Sequence, residues 1–125
     1  MLDFANAIRA NGFEDSQLEI DDDWETCYGE AEFNPEKFPD PGGMVSLLKA
    51  LNFRVTLWIH PFVNMNCPTW NEVALLPRGY FVKDTNTKQL VGHLPGLMWW
   101  WQGNLASYVD FTNPRAVTWW QVKFE

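Results

Sequence analysis

The chain has 125 residues, the size of one ordinary domain and enough to bury a core. Its formal net charge of -7 excludes the basic footprint that nucleic acid or an anionic membrane surface calls for. Eight Trp, nine Phe and three Tyr bring the aromatic content to 16%. So many flat rings beside carboxylates suit either a bulky core or a cleft for a neutral, hydroxyl-rich ligand.

The predicted elements begin with a helix that places Leu2, Ala5 and Ile8 on one face, with Phe4 beside Ile8, and stops at Asn11-Gly12. Gln17 to Asp21 reads as a short strand in which Leu18 and Ile20 alternate. It runs into Asp21-Asp22-Asp23-Trp24, and residues 22–40 form a long loop rich in acids and aromatics. Asp40-Pro41 is a cap followed by a first-turn proline, and Met44, Leu47, Leu48 and Leu51 give the second helix its apolar stripe. Arg54 to Ile59 is a β-branched, apolar run of the kind found in a buried parallel strand, ended by His60-Pro61.

Thr69-x-x-Glu72 after Pro68 predicts a capping box for a short helix with Val73 and Leu76 inward. Tyr80-Phe81-Val82 is a candidate short strand and Asp84 to Thr87 a turn. The run Trp99 to Gly103 sits in loop-like surroundings, and Ser107 to Phe111 reads as strand. Asn113-Pro114 then repeats the cap-and-proline start for a last helix facing inward through Val117, Trp120 and Phe124.

The order α-β-α-β-α-β-α implies an α/β fold with right-handed crossovers and parallel strands. Polar and aromatic groups crowd the loops 22–40 and 60–68, which follow strands, while the helix-to-strand return at 52–53 is tight. That asymmetry is the habit of a (β/α)8 TIM barrel, whose site lies at the C-terminal strand ends. Only about three βα units are present, where a whole barrel takes roughly 250 residues. The expectation is therefore a partial barrel or a small three-layer domain.

Asp21, at a strand end, is the leading site candidate, with Asp22 after it. Trp58 closes the next strand and can fill the core or wall a sugar pocket; His60 shares its face by alternation and is the weaker candidate. Three Trp in a loop make an exposed apolar patch unless they line a cleft, which singles out Trp101. Retaining glycoside hydrolysis needs two carboxyl groups about 5–5.5 Å apart. No such pair can be built from these residues, because Asp110 reads as a turn former.

Cys27 and Cys67 pair in an oxidising compartment or remain free thiols, and the residues alone lean towards free thiols. No metal-binding spacing is present, His60 and His93 are isolated, and neither a metal nor a cofactor is expected. No run approaches the ~18 apolar residues of a membrane helix. Met1 opens directly into an amphipathic pattern without the regions of a signal peptide.

Several stretches together resemble glycoside hydrolase family 31: Leu18 to Trp24 through Phe38-Pro39-Asp40, Met44 through Phe62, and Asp110 to Pro114. The similarity covers nearly the whole chain, and its nearest branch has members resembling α-galactosidases. The resemblance implies that residues 1–125 are the N-terminal part of a catalytic barrel in a retaining α-glycosidase, with an α-galactosidic bond as candidate substrate. It implies an Asp nucleophile and an Asp acid/base on strands beyond Glu125. It implies that Asp21 binds sugar hydroxyls, that Trp58 packs near the ring, that Trp101 shapes the pocket and that Asp22 is a further contact. A secretory-pathway location, a membrane anchor in a longer parent and a Cys27–Cys67 bridge also follow only from the resemblance. A non-catalytic carbohydrate-binding remnant and an inactive truncated chain are the alternatives.

Overall fold

A computed structural model describes residues 1–14, 17–74, 79–84, 94–101 and 104–125. The chain divides into two units, one of residues 1–26 and 33–59, the other of residues 27–32 and 60–125.

In the first unit, helix α1 (Leu2–Ala10) ends at Asn11, and Gly12 takes the positive φ of 77° that the turn requires. Strand β1 (Gln17–Ile20) buries Leu18 and Ile20 and exposes Gln17 and Glu19. Helix α2 (Pro41–Ala50) starts as the sequence dictates: the Asp40 side chain accepts the Gly43 N–H at 2.9 Å, and Pro41 needs no partner for a missing N–H. Strand β2 (Arg54–Leu57) pairs with β1 in parallel, Gln17 opposite Arg54 and Ile20 opposite Leu57.

Ala5, Leu18, Leu48 and Phe53 form this unit's core, flanked by Leu2, Ile8, Met44, Leu51 and Val55. Arg9 clamps the return from α2 to β2. Its guanidinium lies 3.7 Å from the centre of the Phe53 ring, and its Nε donates to the Leu51 carbonyl at 2.8 Å. The structure corrects two expectations in this unit. Leu47 is 55% exposed, so the inward stripe of α2 is the narrower Met44, Leu48, Leu51. Strand β2 is half-buried rather than buried on both faces: Arg54 and Thr56 are exposed, and β1 is its one ladder partner among the described residues.

The second unit is built differently. It holds β3 (Phe62–Asn64), helix α3 (Pro68–Val73), β4 (Met98–Trp99), β5 (Leu105–Tyr108) and helix α4 (Pro114–Val122). The strands lie in the order β3-β5-β4, and both pairings are antiparallel. The sequence predicts a third parallel strand at Ser107–Phe111; the strand found is Leu105–Tyr108 and runs against its neighbours. The connection from β4 to β5 is too short for a crossover, so the pair must form a hairpin. Tyr80 to Val82 makes one isolated bridge, Phe81 to Val109, instead of a strand.

Val63, Cys67, Val73, Tyr80, Phe81, Val109, Ala116 and Trp120 form the core of the second unit. Helix α4 begins with the predicted cap, the Asn113 side chain accepting the Arg115 N–H at 3.0 Å. Its inward residues are Ala116 and Trp120, with Val117 partly buried and Phe124 beyond its end. The predicted capping box of α3 is not used. Cys67 is the N-cap, and Glu30, from the loop before β3, accepts the Thr69 N–H and hydroxyl through its two oxygens, each at 2.8 Å. Cys27 and Cys67 are joined in a disulfide with Cα atoms 5.8 Å apart, which overturns the lean towards free thiols. The expectations for Leu76, His93, Gln102, Gly103 and most of the turn at 84–87 lie outside the described residues.

Candidate functional site

The parallel register places the leading candidates. Ile20 and Leu57 are ladder partners, and the Trp58 N–H donates to the Ile20 carbonyl at 2.9 Å. The next residue on each chain, Asp21 on one and Trp58 on the other, therefore emerges side by side at the C-terminal end of the two strands. Extending the register by one step puts their Cβ atoms on the same side of the ladder. Asp21 is exposed and its Oδ1 accepts the Asp22 N–H at 2.8 Å, which fixes the carboxylate against its own backbone. Asp22 and Trp58 are partly buried.

The rest of the loop after β1 is held by contacts of Asp23 and Trp24. Asp23, at φ 62°, is paired with the Lys37 ammonium, which also donates to the Asp23 carbonyl at 3.0 Å. Local charge compensation thus falls on the third Asp, away from Asp21. Trp24 is 2% exposed, and its indole N–H donates to the Trp58 carbonyl at 2.7 Å. Its ring meets Phe33, which meets Phe38, with centroids 4.9 and 5.3 Å apart. Trp24 is a residue that the sequence reasoning missed as a support. No local signal marked it, because its acceptor lies 34 residues along the chain.

In the second unit, Trp101 is 68% exposed and follows β4 by two residues, so the Trp run is part of an edge hairpin rather than a plain loop. Trp100 is 8% exposed and stands among Tyr28, His60 and Phe62, with ring centroids 5.0, 4.9 and 4.7 Å away. His60 is buried, and its Nδ1 accepts the Phe62 N–H at 3.4 Å. Asp110 is the turn former expected, its Oδ1 accepting from the Thr112 N–H and hydroxyl at 3.0 and 2.6 Å. Among the described residues no group of three or more His, Cys, Asp or Glu is placed to hold a metal ion.

A ladder that ends in a carboxylate beside an indole is apt for a polyhydroxylated ring: one group takes hydroxyl protons, the other packs on C–H faces. Residues 1–125 match the family model described as the glycosyl hydrolases family 31 TIM-barrel domain. The chain belongs to glycoside hydrolase family 31. It is 41% identical over 121 residues to the myogenesis-regulating glycosidase of Mus musculus, covering 97% of this chain and 16% of that protein. It is 33% identical over 119 residues to an α-xylosidase of Emericella nidulans, covering 87% of this chain and 14% of the other. A family 31 dextranase of Flavobacterium johnsoniae, solved with isomaltotriose, superposes with a TM-score of 0.83 at 24% identity, covering 98% of this chain and 14% of that one. An α-galactosidase of Thermus thermophilus with stachyose superposes with a TM-score of 0.73 at 21% identity, covering 95% of this chain and 24% of that one. The family 31 chain thus shares the fold of a TIM-barrel segment and is by family a glycoside hydrolase. It spans about a sixth of the length of the mouse and Emericella relatives.

Proposed function

We propose that this family 31 chain is the sugar-binding portion of a retaining α-glycosidase, acting on an α-glycoside with the α-galactosidic bond as first candidate. Asp21 accepts hydrogen bonds from ring hydroxyls, Asp22 adds a second polar contact, and Trp58 stacks on the C–H face of the same ring. Trp101, in the second unit, is assigned a sugar contact considered by itself. The observation that carries the reading is the parallel register that sets Asp21 beside Trp58 at the C-terminal strand ends.

The nucleophile and the acid/base are assigned to barrel strands outside residues 1–125. Supporting this, β2 is followed by Trp58 and Ile59 rather than by a carboxylate, and Asp110 is committed to its turn. The parent protein is assigned to the secretory pathway, which the Cys27–Cys67 disulfide supports because such bonds persist in oxidising compartments.

Calorimetric titration of the 125-residue chain with α-galactosides, α-xylosides and α-glucosides tests the proposal. Asp21→Ala is expected to weaken binding at least tenfold, the loss of about 1.5–3 kcal/mol that a hydrogen bond to a charged group supplies. Unchanged affinity sinks the role of Asp21, and measurable turnover by the chain alone sinks the assignment of the catalytic acids.

A further inference from the structure

The three consecutive tryptophans are not equivalent. Trp99 and Trp101 are each 68% exposed, whereas Trp100 between them is 8% exposed. The buried indole is anchored by one polar contact: its N–H donates to the Asn64 side-chain oxygen at 2.7 Å. Asn64 is itself 1% exposed and sits on β3, where its backbone N–H donates to the Tyr28 carbonyl at 2.9 Å. A buried amide that directs its oxygen at a buried indole fixes the rotation of that ring, because the indole N–H has one direction and no water replaces the acceptor. The Trp101 ring meets Trp100 nearly edge-on, with centroids 5.9 Å apart and planes at 78°.

We infer that Asn64 is a positioning residue: by holding the Trp100 indole it sets the angle at which Trp101 presents its face to an α-glycoside ring. This rests on the reading of Trp101 as a sugar contact. Asn64 touches no sugar itself. Its effect passes from β3 through Trp100 to the exposed indole, all within the second unit.

The test has a structural arm and a binding arm. Near-ultraviolet circular dichroism isolates the signal of the Trp100–Trp101 pair as the band lost in Trp101→Phe. In Asn64→Leu that band is expected to diminish; a band equal to the parent's overturns the inference whether or not sugar binds. Calorimetry with p-nitrophenyl α-galactoside is the second arm. Asn64→Leu and Trp101→Ala should each raise Kd roughly fivefold, and the double variant should be no worse than Trp101→Ala alone. A Kd raised by Trp101→Ala but not by Asn64→Leu overturns the positioning role and leaves the sugar contact standing. If Trp101→Ala has no effect, the sugar contact fails and the dichroism arm decides the orientation claim. Because Asn64→Leu strands a buried N–H, Asn64→Leu/Trp100→Phe replaces both partners by apolar groups and should recover thermal stability. That double variant is expected to remain a weak binder; recovery of parental Kd together with stability would reduce Asn64 to a structural role and overturn the inference.

Discussion

Asp21 and Trp58 stand together because two short strands share one register, and the contact that extends it is a backbone hydrogen bond from Trp58 to Ile20. Their positions were legible in the sequence, since the strand in which Leu18 and Ile20 alternate closes at Asp21 and the run Arg54 to Ile59 carries Trp58 near its end. Trp24 was not legible as a support: its indole reaches a carbonyl 34 residues away, and no local pattern encodes so distant an acceptor. Trp24→Phe keeps the aromatic packing and removes the donor. It should destabilise the chain by about 1–2 kcal/mol, read as a shifted denaturation midpoint, with weaker sugar binding because the Trp58 backbone loses its tie. A midpoint and affinity equal to the parent's would show that the tie is dispensable.

At the scale of elements, the helices were the most readable part. Asp40-Pro41 and Asn113-Pro114 carry their caps within the sequence, and both act as caps in the structure. Helix α3 shows the limit of such reading, because its cap arrives from Glu30, 39 residues upstream. Glu30→Ala should cost about 1–2 kcal/mol, in the range of lost helix caps, whereas Glu72→Ala, which removes half of the unused box, should cost far less. Denaturant titration of the two variants checks the order. Gly29 is a further pin on the same loop. At φ 109° its added Cβ would lie 2.8 Å from the Val63 Cα, so Gly29→Ala should lose about 2–4 kcal/mol by the same measurement. The antiparallel β3-β5-β4 sheet was hidden because β3 and β4 span only three and two residues, too few for alternation to register.

Across the whole chain, the dressed loops after the strands suggested the barrel, the count of βα units limited it to a part, and the order of motifs pointed to the family. The disulfide was beyond the reach of composition, since two cysteines 40 residues apart fit either redox state. It ties the Cys27 loop to the start of α3, next to the Glu30 cap. Closing a loop of that length stabilises by about 3–4 kcal/mol through the unfolded chain, so Cys27→Ser/Cys67→Ser should lower stability by that amount in a denaturant titration. A smaller loss would mean that the cap and the Gly29 packing already hold the loop. The central claim, that Asp21 and Trp58 grip one sugar ring, is tested most directly by NMR of the chain with 15N-labelled tryptophan indoles. The Trp58 resonance, assigned by its absence in Trp58→Phe, should move on titration with an α-galactoside and stay fixed in Asp21→Ala. A Trp58 signal that ignores saturating sugar, or that moves equally without the Asp21 carboxylate, would contradict the account.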